Sequence, residues 1–255
     1  MRGFTLIEMV ISIVLLSIVG LFLGEVIRQS LVLYADSSSR EALIQQGRFV
    51  TERLRREIRE SVPNSVIVVN DCIEILPITN SAIYLDLPSP AAVSSSVRIL
   101  PMGNITSGER LVVYPTDAEE LRKDVDGSGQ TAQVKADVAF SSSISATMVD
   151  VALTMDTGFN VSSPAKRLYF YRQPVAFCLV GEELYRYSGY PFSRALLSPA
   201  FLGNGVKVAS NITDVNFVVE GAKLQRNGLV KMELTFADNG EQIRFDHDAL
   251  IYNTP

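Results

Sequence analysis

The chain has 255 residues, 47% of them hydrophobic, and 23 Lys and Arg against 28 Asp and Glu give a formal net charge of −5 and a pI of about 5.1. An acidic balance without a basic stripe argues against nucleic acid as a partner. Two cysteines far apart in sequence, Cys72 and Cys178, and a single histidine, His247, argue against a zinc cluster or a C-x-x-C dithiol.

The first element is the run that opens Met1-Arg2-Gly3-Phe4-Thr5-Leu6-Ile7-Glu8 and stays apolar to Gly24, with Glu8 its only charge after Arg2. At about 1.5 Å per helical residue it spans about 30 Å, the thickness of a bilayer's hydrocarbon core. A cleaved signal peptide is the plain alternative, but no small-residue A-x-A site follows Leu23. A carboxylate near mid-membrane costs on the order of 2.5–3.5 kcal/mol. Its place near the helix start, where the macrodipole favours negative charge, lowers that cost for Glu8.

Gly3-Phe4-Thr5-Leu6-Ile7-Glu8 resembles the processing site of type IV prepilins and type II secretion pseudopilins. The resemblance implies that a membrane-bound prepilin peptidase cuts between Gly3 and Phe4 and that the new amino terminus, Phe4, is N-methylated. It also implies that Glu8 pairs with the terminal amine of a neighbouring subunit, so that two charges costly to bury alone are buried together. The expected organisation is a leader at 1–3, a transmembrane helix at 4–24, a stalk helix at 25–62 and a head at 63–255.

Between residues 25 and 62 there is no proline and one glycine, Gly47, so the helix is expected to continue out of the membrane. Leu43, Val50, Leu54, Ile58 and Val62 recur at spacings of three and four or their sums, an apolar stripe that must lie against something, and the chain's own sheet is the expected partner. On the other faces, Glu52 with Arg56, Arg53 with Glu57 and Arg56 with Glu60 have the i, i+4 spacing of surface ion pairs. Pro63-Asn64 marks the helix end.

Past residue 64 the period changes to that of strands punctuated by Pro, Gly, Asn and Ser. Strands are expected at 65–69, 72–76, 82–87, 97–100, 110–114, 148–155, 167–171, 175–180, 183–187, 214–220, 229–236 and 242–245. Tight turns are expected at Gly181-Glu182, Arg226-Asn227-Gly228 and Asp238-Asn239-Gly240. The last four strands read as an antiparallel meander, and 89–96 and 117–133 read as mobile linkers. The fold class is therefore α+β, one long N-terminal helix packed on a mainly antiparallel β head. Cys72 and Cys178 are either a disulfide or two buried thiols.

This order also resembles pilin architecture. The long connection between stalk and terminal meander, with Leu184-Tyr185-Arg186-Tyr187 before it, is similar to the J-type pseudopilins and, more closely, to the O-type minor pilins of mannose-sensitive haemagglutinin (MSHA) pili.

Three motifs invite other readings. Asp124-Val125-Asp126-Gly127-Ser128-Gly129 opens like a calcium loop, making Asp124, Asp126 and Ser128 the candidate ligands. Position twelve is Lys135 in place of the closing glutamate, so a turn is the preferred reading and no metal or cofactor is expected. Asp156-Thr157-Gly158 matches one aspartic-protease triplet where that chemistry needs two, and reads as a turn. His247, between Asp246 and Asp248, has no G-x-S-x-G elbow to serve and reads as an edge residue.

The reading is a non-enzymatic minor pilin of a bacterial inner membrane, its head in the periplasm and later on the pilus at the cell surface. Its partners are the prepilin peptidase, the inner-membrane assembly platform, and the major and other minor pilins. A J-type pseudopilin of type II secretion is the nearest alternative, and a membrane-tethered adhesin the next.

Overall fold

The computed structural model describes residues 5–140, 148–221 and 228–251. One unbroken helix, α1 (Leu6–Arg59), carries a mainly antiparallel β head. The helix stops three residues before the expected end at Val62. Ser61 there bridges Pro77, Val62 N donates to Leu76 O (2.8 Å) and Ile78 N to Glu60 O (3.0 Å), so the chain already runs as a strand before Pro63.

Fifteen strands follow among the described residues: β1 (Ile67–Val69), β2 (Cys72–Ile75), β3 (Ile78–Tyr84), β4 (Ser94–Pro101), β5 (Arg110–Val113), β6 (Ser128–Gly129), β7 (Thr131–Gln133), β8 (Val149–Phe159), β9 (Arg167–Tyr171), β10 (Val175–Val180), β11 (Glu183–Ser188), β12 (Val206–Ala209), β13 (Ile212–Glu220), β14 (Gly228–Asp238) and β15 (Glu241–Ile251). They divide into two lobes. The body holds a five-stranded sheet, β1-β2-β10-β11-β12, and a three-stranded meander, β13-β14-β15. The second half of α1 fills the space these sheets enclose. Leu43, Val50, Leu54 and Ile58 are buried with Ile73, Ile75, Phe177, Leu184, Phe217, Met232 and Phe236, each such side chain worth about 1.5–3 kcal/mol.

The second lobe is a seven-stranded sheet, β6-β8-β4-β3-β9-β5-β7, that closes on itself. Val134, just past β7, bridges Leu153 of β8, and Lys135 N donates to Ala152 O at 2.8 Å. Its interior holds Val97, Ile99, Leu111, Val151, Leu168 and Phe170. Because β3 to β9 are consecutive, this barrel is one insertion, residues 78–171, between two neighbouring strands of the body. Its neck is the β2–β10 ladder, where Ile75 faces Val175 and Cys72 faces Cys178.

Several expectations change. The terminal meander has three strands: β11 is hairpinned to β10 and lies in the other sheet. Residues 117–133 are built into the fold, with a 3₁₀ turn at Glu120–Arg122 and strands β6 and β7. Asp156-Thr157-Gly158 is the end of strand β8. A Cβ at Gly158 would lie 2.7 Å from both Pro90 Cα and Ser89 O, so the glycine serves close backbone packing. The Asp238-Asn239-Gly240 turn forms as read, a two-residue hairpin with φ of 49° and 84° at Asn239 and Gly240. The expected turn at 226–228 falls mostly outside the described residues.

Candidate assembly site

The first turns of α1 carry the predicted assembly residues. Gly3 and Phe4 lie outside the described residues. Thr5 is the N-cap, with extended backbone and no side-chain capping bond, although Thr5-x-x-Glu8 has the spacing of a capping box. Instead Thr5 Oγ1 faces Glu8 Oε2 at 3.5 Å. Glu8 projects from the first turn into the open, near the positive end of the helix dipole.

From Leu6 to Tyr34 every side chain of α1 is exposed, including Leu16 (71%), Leu21 (78%) and Phe22 (70%). A helix that is apolar on all sides demands lipid or other helices around it. Its polar groups are prepared for such surroundings: Ser12 and Ser17 donate to the carbonyls of Glu8 and Ile13, each at 2.8 Å. Gly20 and Gly24 lie one turn apart, and among the described residues nothing comes within 4 Å of either missing Cβ. This small-xxx-small spacing allows close approach of another helix in a membrane.

Residues 1–24 match the prokaryotic N-terminal methylation motif. This motif is the signal of type IV pilins and pseudopilins. It implies processing by a prepilin peptidase and assembly with other pilins, and the helix that bears it is long and apolar enough to cross a membrane. No curated protein and no solved structure matches the chain.

The stalk is joined to the body by charge as well as packing. Glu57 accepts from Arg53 (3.2 Å) and from Arg186 of β11 (3.1 Å), tying helix to sheet. Glu52 pairs with Arg55, three residues on, rather than with Arg56.

Two of the candidate calcium residues, Asp126 and Ser128, bond to each other. Asp126 Oδ1 accepts from Ser128 N (2.9 Å) and Ser128 Oγ (2.8 Å), bonds that hold its carboxyl below the usual range. Asp124 faces Arg110 at 3.8 Å. Among the described residues no group of three or more His, Cys, Asp or Glu is placed to hold a metal ion. His247 is exposed on β15 opposite Met232.

Cys72 and Cys178 form a disulfide across the neck. Beside it lies a buried ionic cluster that the sequence reading did not foresee. Glu74, fully buried in β2, accepts from Arg122 Nε (2.6 Å) and Arg194 Nη2 (2.9 Å) through one oxygen and from the Tyr190 hydroxyl (2.7 Å) through the other. Arg122 also donates to Ala118 O (2.6 Å) and Ser65 O (2.7 Å). Burial, with the Glu74 charge, pushes the Tyr190 hydroxyl up, so it stays a donor. In Cys72-Ile73-Glu74-Ile75 the alternation reads as a solvated charge. The partners that bury it are 48 and 120 positions away, a separation that no local pattern reports.

Proposed function

We propose that this chain is a non-catalytic minor pilin that assembles through its N-terminal helix into a type IV pilus of the MSHA kind and helps initiate assembly at the tip. The observation that carries the reading is the methylation motif at residues 1–24 set on a helix whose apolar surface no other described residue covers. In this reading the peptidase removes residues 1–3 and Phe4 is methylated. Glu8 meets the terminal amine of a neighbour, and the surface from Leu6 to Tyr34 passes from lipid into a bundle of like helices.

A position at the tip is supported by the head's bulk. An entire barrel is inserted into the body, and such a head would crowd a shaft in which every subunit repeats closely. The body and barrel stand in the periplasm before assembly and on the cell surface after it. The test is deletion of the chain followed by electron microscopy with filament retraction blocked. Fewer filaments of normal thickness support initiation; normal number and length remove it. Loss of protein export with filaments intact would assign the chain to a type II secretion pseudopilus instead.

A further inference from the structure

The connection from β11 to β12, residues 189–205, crosses the outer face of the five-stranded sheet. Strand alternation puts Ile73, Ile75, Val175 and Phe177 on the side of α1 and leaves Cys72, Glu74, Ala176 and Cys178 on the other. On that second side Tyr190, Leu197 and Leu202 of the connection are buried against Cys72, Ala176, Cys178 and Tyr187. The disulfide is thereby covered, Cys72 being 5% and Cys178 0% exposed.

The connection is fastened at two places. Tyr190 and Arg194 bind Glu74, which shares a strand face with Cys72 one alternation away. Phe192 packs edge-on against Tyr171 of the barrel, ring centroids 5.9 Å apart, with the Arg110 guanidinium 4.0 Å from the centre of the Phe192 ring. Among the described residues Arg194 Nε is buried without an acceptor, a costly arrangement, and Leu196 and Phe201 remain exposed.

We infer that residues 189–205 are a strap that shields the neck disulfide from reductants, with the Arg194–Glu74 ion pair as its bolt and local opening of the strap as the route to reduction. Arg122 keeps Glu74 paired when the strap lifts, so the strap opens without stranding a buried carboxylate.

The test is the rate at which full-length protein in detergent is reduced by dithiothreitol under native conditions, read by alkylation and intact mass. Arg194→Met keeps the aliphatic bulk and leaves the Glu74–Arg122 pair. It is expected to speed reduction about tenfold, in proportion to one lost charged hydrogen bond. Tyr190→Phe is expected to act in the same direction. In both, the rate should be nearly independent of low urea concentrations, the mark of local rather than global opening. A wild-type rate in Arg194→Met overturns the inference. So does an increase whose urea dependence matches global unfolding, or one reproduced by an equally destabilising substitution in the barrel core such as Val151→Ala.

Discussion

Gly47 of α1 lies directly beneath the ring of Phe245 on β15: a Cβ at position 47 would stand 2.1 Å from the ring's Cε2. The glycine lets the helix approach the meander at the point where Phe245 stacks edge-on with Phe236, centroids 5.6 Å apart. Gly47→Ala gains up to about 1 kcal/mol of helix propensity but forces the ring aside, at about 1–3 kcal/mol. Net destabilisation is expected by urea titration. In a Phe245→Leu background the same change should become neutral or stabilising, giving a non-zero coupling in the double-mutant cycle. Additive effects would mean that the ring moves freely.

The long helix and its apolar stripe are legible in the sequence because both are local: a 3.6-residue period and an absence of proline. The ends of β9 and β10 are legible for the same reason, as is the turn at Asn239-Gly240. Gly47 is not, because its meaning depends on a ring 198 positions away. Short strands such as β6 and β7 have no period to show, and they exist because barrel closure gives them partners. The five-stranded sheet takes β11 because its hairpin mate β10 pairs with β2, a choice made in three dimensions. In the candidate assembly site the motif is contiguous and could be read directly, whereas the Glu74 cluster is assembled from three distant segments.

The disulfide closes a loop with a sequence separation of 106 that contains the whole barrel. Chain-entropy reasoning puts its contribution at about 4.7 kcal/mol for a loop of this size. Cys72→Ala with Cys178→Ala should lower the unfolding midpoint accordingly while the β2–β10 ladder persists in the native state. An unchanged midpoint would show that the loop is already constrained in the unfolded chain.

Glu74→Ala leaves Arg122 and Arg194 buried without their counter-charge and is expected to cost about 3–5 kcal/mol. Replacing all three by Met should cost much less, because no uncompensated charge remains. Equal losses in the single and triple variants, measured by urea unfolding, would contradict this account of the cluster.

Tyr171 is buried, and burial pushes its hydroxyl from 10.0 up to about 12 while it donates to Leu121 O at 2.9 Å. Below pH 10 its contribution to stability is fully present. Between pH 10 and 12 the unfolded chain releases this proton and the native chain keeps it, so stability falls as pH rises, by up to about 3 kcal/mol. Tyr171→Phe is expected to be less stable at neutral pH yet to lose less across this window, as followed by unfolding at each pH.

Processing of this chain into a filament-forming subunit is proposed from its N-terminal motif. Intact mass with N-terminal sequencing of the protein extracted from bacterial membranes tests it most directly. The account predicts a chain that begins at Phe4 with a single methyl group on its terminal amine, and an unshortened chain when Gly3 is replaced by a bulky residue. A wild-type chain that still begins at Met1, or one cut beyond the apolar run, would contradict it.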